Sequence, residues 1–324
     1  MAIKPEILTM IDGIRNDNSH SASQLARLSM DVMRKAAESS VAANVSLFLA
    51  EQSEIGHRLA DTRPAMAPLY NMVNRLLEDT TVAAQEKDLP SLKDFATRRA
   101  ERLIEDSARA VARIAEYGAG LINKGDTVMT FSFSSTVMAV LKEASAKNHI
   151  KVIVPRSGYG GSGLITARKL AGYGLCVTLI DDTAVGSYIA SVDTVIVGAD
   201  RICADLKLVN AMGTSQLARL AGVSGVPFYI LCERLKFDSR LSSDSLELEE
   251  EATLEELTDL PRFIKYKNPT YDITPLRAGT IIVTEEGLFR PEEIVNLFVN
   301  KHGCKKKSCI LRQLYTLAWS MGSK

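Results

Sequence analysis

The sequence predicts an α/β chain in which an N-terminal helical domain precedes a doubly wound parallel sheet. Two patterns carry that expectation. Up to about residue 120 the apolar positions recur at helical spacing, as in "SQLARLSMDVMRKAAESS" (23–40), with few β-branched runs. From "GDTVMTF" (125–131) onward, short β-branched runs alternate with helical stretches: "IKVIV" at 150, "CVTLI" at 176, "DTVIVG" at 193, "PFYILC" at 227 and "TIIVT" at 280. Apolar strands separated by helices are covered on both faces, and such sheets are parallel. Length agrees, since 324 residues exceed what one compact core takes. The expected division is a helical domain over 1–120, a ligand-binding sheet domain over 121–300, and a basic then apolar tail over 301–324.

Composition narrows the function classes. Acidic and basic residues balance at 39 each, so no global field draws the chain to nucleic acid or an anionic membrane. No apolar run approaches the roughly 20 residues of a membrane span, and the first residues lack the apolar stretch of a signal peptide. A cytoplasmic protein is expected. Of the five cysteines, Cys176, Cys203 and Cys232 lie in or beside strand-like runs and read as small buried hydrophobes. Cys304 and Cys309 bracket three lysines with only His302 nearby, which leaves a zinc site short of a ligand. No metal is expected. The acidic run over 244–259 reads as a solvated helical insertion.

Ligands of doubly wound sheets bind beyond the carboxyl ends of the strands. One such place is "VIVPRSGYGGSGLITARKL" (152–170), where Gly158, Gly160 and Gly163 satisfy G-x-G-x-x-G and Asp181 ends the next strand. Pro155, Arg156 and Ser157 stand between strand and first glycine and spoil the tight turn of a dinucleotide loop, so neither a nicotinamide nor a flavin cofactor is expected. Glycines still let amides approach an anion, the helix start adds its dipole, and Arg156 adds a bidentate donor. A phosphate is the expected occupant. A second place is "DTVIVGADRICADLKLVNAMGTSQLARLAG" (193–222), where a buried strand delivers Asp200 through Gly198. Asp200 reads equally as a reacting carboxylate or as a partner for Arg201. Asn210, Gly213 and Thr214 open the following helix and could cradle a polar ligand.

These residues carry a resemblance. "VGADRI" followed by "VNAMGT", with "TRPAMAPL" at 62, "NPTYDITP" at 268 and "VTEEGLFRPEEI" at 283, resembles the family uniting the regulatory subunits of translation initiation factor 2B with archaeal ribose-1,5-bisphosphate isomerase and methylthioribose-1-phosphate isomerase. The resemblance implies an N-terminal helical domain, a Rossmann-like second domain, a ligand between them, and a dimer built through the sheet domain. It implies Arg63 of "TRPAMAPL" as a phosphate ligand. It also matches Arg156, Tyr159 and Gly161 loosely to an R-P-x-x-x-G stretch, with Gly160, Asn210 and Gly213 as further ligand-binding positions.

Within that family the isomerases use a Cys in a T-H-C stretch and an Asp in a G-A-D-R stretch. Asp200 matches the second. The first falls in "VMTFSFSSTV", where Phe131 and Ser132 stand in for His and Cys. A serine hydroxyl is far less acidic than a thiol and is a poor proton donor without an adjacent base. The isomerases' Asn-Lys pair is Asn210 and Ala211 here, so Lys207 would have to replace the missing ammonium. The resemblance therefore implies an initiation-factor-2B-alpha-like regulator that binds a sugar phosphate or nucleotide monophosphate, with initiation factor 2 or paralogous subunits as partners and no direct grip on nucleic acid. The alternative is an aldose-ketose isomerase using Asp200 as general acid or base, with Ser132 or a water in place of the thiol.

Overall fold

The computed structural model describes residues 3–158, 161–248, 261, 263–277 and 279–294. The chain divides into two compact units, Met1–Ala112 and Arg113–Lys324. The first contains α1 (Pro5–Arg15), α2 (Ala22–Ser39), α3 (Val45–Ala60), α4 (Ala67–Ala83) and most of the long α5 (Leu89–Ala119). Ile7, Ile11 and Ile14 recur on one face of α1 and are buried. Two helix starts are fixed by side chains: the Ser21 N–H donates to Gln24 Oε1 at 3.0 Å before α2, and Asn44 Oδ1 accepts from the Leu47 N–H at 2.9 Å in α3.

The second unit runs β1 (Thr127–Phe131), α6 (Ser135–Lys147), β2 (Lys151–Pro155), α7 (Ser162–Gly172), β3 (Cys176–Ile180), α8 (Val185–Tyr188), β4 (Thr194–Val197), β5 (Arg201–Cys203), β6 (Lys207–Ala211), α9 (Thr214–Val223), β7 (Phe228–Leu231), β8 (Phe237–Asp238), β9 (Tyr271–Pro275), β10 (Thr280–Thr284) and β11 (Gly287–Phe289). Seven strands form one sheet in the order β11-β10-β7-β4-β1-β2-β3, parallel throughout except for the β10–β11 hairpin. All six strand-like runs of the sequence are in it. Apolar side chains alternate between two cores: Met129, Val195, Val197 and Ile282 pack on one face, Val128, Ile196 and Val283 on the other. Covering both faces requires the near-continuous apolar runs that made these strands legible. The fold is thus a helical region followed by a Rossmann-like doubly wound sheet.

A smaller sheet, β8-β5-β6-β9, is mostly antiparallel. It grows out of the loop after β4 and carries Arg201 and Asn210.

One expectation is corrected. Cys203 and Cys232 are buried, and burial pushes the Cys203 thiol up to about 12 and the Cys232 thiol up as well. Cys176 is exposed, because β3 is the edge strand and has only Ile180 buried. The tail over 301–324 and most of the acidic run lie outside the described residues, apart from 244–248. No helix among the described residues is long and apolar enough to cross a membrane.

Candidate functional site at the strand carboxyl ends

The chain leaves β1 for β2 and β3 on one side of the sheet, then returns to β4 on the other. The switch point therefore lies between β1 and β4. Ser132–Ser134 follow β1 and Gly198–Asp200 follow β4, so both loops flank it. They are close: a Cβ on Gly198 would lie 2.5 Å from Ser134 Oγ, so only glycine lets the strands end this way. Asp200 comes two residues later, half-buried, with its N–H bonded to the Val209 carbonyl at 3.0 Å.

Ser132 is held on three sides. Its N–H donates to Ser157 Oγ at 2.7 Å, its carbonyl accepts from Thr166 Oγ1 at 2.7 Å, and its Oγ pairs with Ser162 Oγ at 3.0 Å. Both Ser132 and Ser157 occupy left-handed backbone, with φ 64° and 61°. Two non-glycine residues in this region, bonded to each other at the ends of adjacent strands, are the local strain that surrounding structure must enforce. No base contacts Ser132 Oγ in these bonds, and its hydroxyl neighbour is a second serine.

In the glycine loop, the structure brings in a group that no sequence pattern singles out. The Asp182 carboxylate accepts from the Ser157 and Gly158 N–H groups, both at 2.7 Å. Amides expected to hold a phosphate thus hold the chain's own anion. Arg156 is exposed and lies 3.5 Å from the equally exposed Asp181, a pairing worth little in water. Gly161, with φ 62°, starts α7; Tyr159 and Gly160 lie outside the described residues. The start of α9 repeats the arrangement, with Asp272 Oδ2 accepting from Gly213 at 3.1 Å and Ser215 at 2.9 Å. Asn210 is buried and donates to Thr214 Oγ1 at 3.0 Å. Lys207 lies 3.1 Å from Asp205 and 2.9 Å from Ser243 Oγ, so its ammonium is engaged within the small sheet's loops.

A buried ion pair beside the site also escaped the sequence reading. Beyond β7, Glu233 Oε2 lies 3.6 Å from Lys236 Nζ, both almost fully enclosed, and Glu233 Oε1 accepts from Thr136 Oγ1 at 2.8 Å. Thr136 is in the first turn of α6, so this pair ties the β7 loop to the loop that carries Ser132. Its sequence signal is slight, a Glu and a Lys three residues apart after a strand.

Arg63 belongs to the helical unit, where its guanidinium donates to the carbonyls of Ile14 and Asp17 and to Asn18 Oδ1. It braces the α1–α2 connection. In that connection burial acts to raise the Asp17 carboxyl, but hydrogen bonds from Ser19 and His20 outweigh it and bring the pKa to about 2. A folded value below the ordinary 3.8 gives stability that is present above that pH and lost as pH falls through about 2. Asp17→Asn should cost on the order of 1 kcal/mol at pH 6 and only a fraction of that at pH 2, where the native carboxyl is already about half protonated, read by urea unfolding at both.

The sequence profile of the initiation factor 2 subunit family matches residues 18–291. The chain belongs to this family. Among its relatives, ribose 1,5-bisphosphate isomerase of Thermococcus kodakarensis is 31% identical over 98% of this chain and 99% of that protein. A putative translation initiation factor eIF-2B subunit 2-like protein of Pyrococcus furiosus is 32% identical over 74% of this chain and 80% of that one. Among solved structures, the Pyrococcus horikoshii translation initiation factor eIF-2B superposes with a TM-score of 0.78 at 29% identity, covering 90% of this chain and 99% of that one.

Proposed function

We propose that this chain is an initiation-factor-2B-alpha-like regulatory subunit that binds a sugar phosphate or nucleotide monophosphate without isomerising it. The observation that carries the reading is Ser132. The residue after β1 is a hydroxyl whose described partner is another hydroxyl, where the isomerase pattern calls for a thiol beside a His. Ala211 in place of Lys supports it too, because Lys207 is drawn to Asp205 instead. Retention of Asp200 and Asn210 supports binding. Arg156 is the proposed anion contact of the sheet unit and Arg63 that of the helical unit, with Tyr159, Gly160, Gly161, Asn210 and Gly213 as the further proposed ligand-binding positions. A dimer, and association with initiation factor 2 or paralogous subunits, follow from the same reading, as does a cytoplasmic location.

The second reading is an aldose-ketose isomerase. It is favoured by Asp200 standing half-buried at the switch point, and by the isomerase relative matching 98% of this chain against 74% for the initiation-factor-like one, at about the same identity. Calorimetry with ribose 1,5-bisphosphate, methylthioribose 1-phosphate and AMP, followed by a ketose assay of each mixture, separates the two. Binding without ketose is expected. Ketose formed by the wild type and abolished in Asp200→Asn would make the chain an isomerase; absence of binding to all three would remove both readings.

A further inference from the structure

β3 forms one edge of the main sheet, and its outer side meets no strand among the described residues. The Ile180 carbonyl accepts from the Arg156 N–H at 2.9 Å, so Cys176, Thr178 and Ile180 turn their backbone groups toward β2. Val177 and Leu179 turn theirs outward, because these groups point to alternate sides along a strand. An edge of this kind is a template for another strand, and sheets commonly blunt it by shortness or by charge. β11, at the opposite edge, has both, with three residues between Glu286 and Arg290. β3 has neither: "CVTLI" is five residues without a charge.

The chemistry of the edge says which strand fits it. Its surface is apolar, since Leu179 is 41% exposed and Tyr173 and Tyr188, in the segments that lead into and out of the strand, are exposed as well. Its outward groups are spaced for an identical strand. In an antiparallel pair related by a two-fold axis through Thr178, the Val177 N–H and carbonyl exchange hydrogen bonds with those of the partner's Leu179, and symmetry repeats the exchange. Thr178 then faces its own copy across the axis as a non-hydrogen-bonded pair, with Cα atoms about 4.5 Å apart. No charge is brought to the axis, and the arrangement closes at two copies.

We propose that β3 is the face through which two copies of this chain associate, antiparallel about Thr178, so that their sheets join into one. The inference rests on the dimer of the reading above and gives that dimer a face and a register.

Three variants of the full chain test it. In Thr178→Cys, oxidised with copper phenanthroline, the facing thiols should close a disulfide between the two copies of position 178, mapped by peptide mass spectrometry. Leu179→Cys should not crosslink to itself, because the offset along the strands holds its copies beyond the roughly 7 Å that a disulfide spans. Leu179→Lys sets a charge on the edge and removes an apolar side chain that each dimer buries twice, so sedimentation should show association weakened by about a hundredfold or more, with circular dichroism unchanged. A two-chain species that gives no disulfide at position 178, or that persists undiminished in Leu179→Lys, overturns the proposal and leaves the dimer of the reading above on another face. Equal crosslinking at 178 and 179 also overturns it, as the mark of collision rather than register. A wild-type chain that sediments as a monomer at every concentration overturns both the face and the dimer, and calorimetry then decides ligand binding by itself.

Discussion

Gly163→Ala is expected to destabilise the sheet unit by about 3 kcal/mol or more, the upper end of what an added methyl group costs in a packed interior. The reason is backbone geometry. A Cβ at 163 would sit 1.9 Å from the Pro155 carbonyl oxygen and 2.8 Å from the Arg156 carbonyl carbon, and neither is the tip of a flexible side chain. The Gly163 N–H also donates to the Arg156 carbonyl at 3.1 Å, so α7 meets the end of β2 backbone to backbone. Relief would require moving α7 away from the strand, taking Ser162 and Thr166 from their bonds to Ser132. Gly172→Ala, in the last turn of the same helix with nothing within 4 Å, is the control and should be neutral or stabilising by about 0.5 kcal/mol. Urea denaturation followed by circular dichroism measures both. A cost below about 1 kcal/mol at Gly163 would mean that this approach is not as close as described.

Lys236→Met should be comparably severe, at about 3–5 kcal/mol, because it strands the Glu233 carboxylate in the interior. Removing one partner of a buried pair leaves desolvation uncompensated, whereas removing both charges does not. The double substitution Glu233→Gln with Lys236→Met should therefore recover much of the loss. A double variant that is additive in the two single costs would show that the charges act independently. The neighbouring Glu285 carboxyl is raised by burial, with Glu233 adding to the effect, against hydrogen bonds from its own and the Arg234 backbone N–H. A second uncompensated acid in that loop would be poorly tolerated.

Six of the main sheet's seven strands were readable because their sequences are runs of apolar residues, whereas β11 has only three residues. Val152 and Val154 enter one core and Ile153 the other, leaving an unbroken run that no helix pattern imitates. The small sheet was not readable for the converse reason. "RIC" and "FD" are too short to show a period, and the pairings of β5 with β8 and of β6 with β9 join distant segments. At the site, Asp200 and the glycines stood out because strand ends are where α/β chemistry gathers. Asp182 and Asp272 did not, since a carboxylate that accepts from amides 24 and 59 residues away has no local signature. Asp181, the acid that the glycine spacing drew attention to, points instead to Arg156 in solvent.

That neighbouring Asp182 has a consequence for anything that would enter the glycine loop. A carboxylate tethered beside the Ser157 and Gly158 amides competes at an effective concentration of about millimolar or higher, never diffuses away and never needs to be synthesised. Free anions present at lower levels in solution are outbid there whatever their identity. The loop is thereby insulated from passing phosphate, and only a ligand anchored elsewhere on the protein, arriving with its own tether, could contest the place.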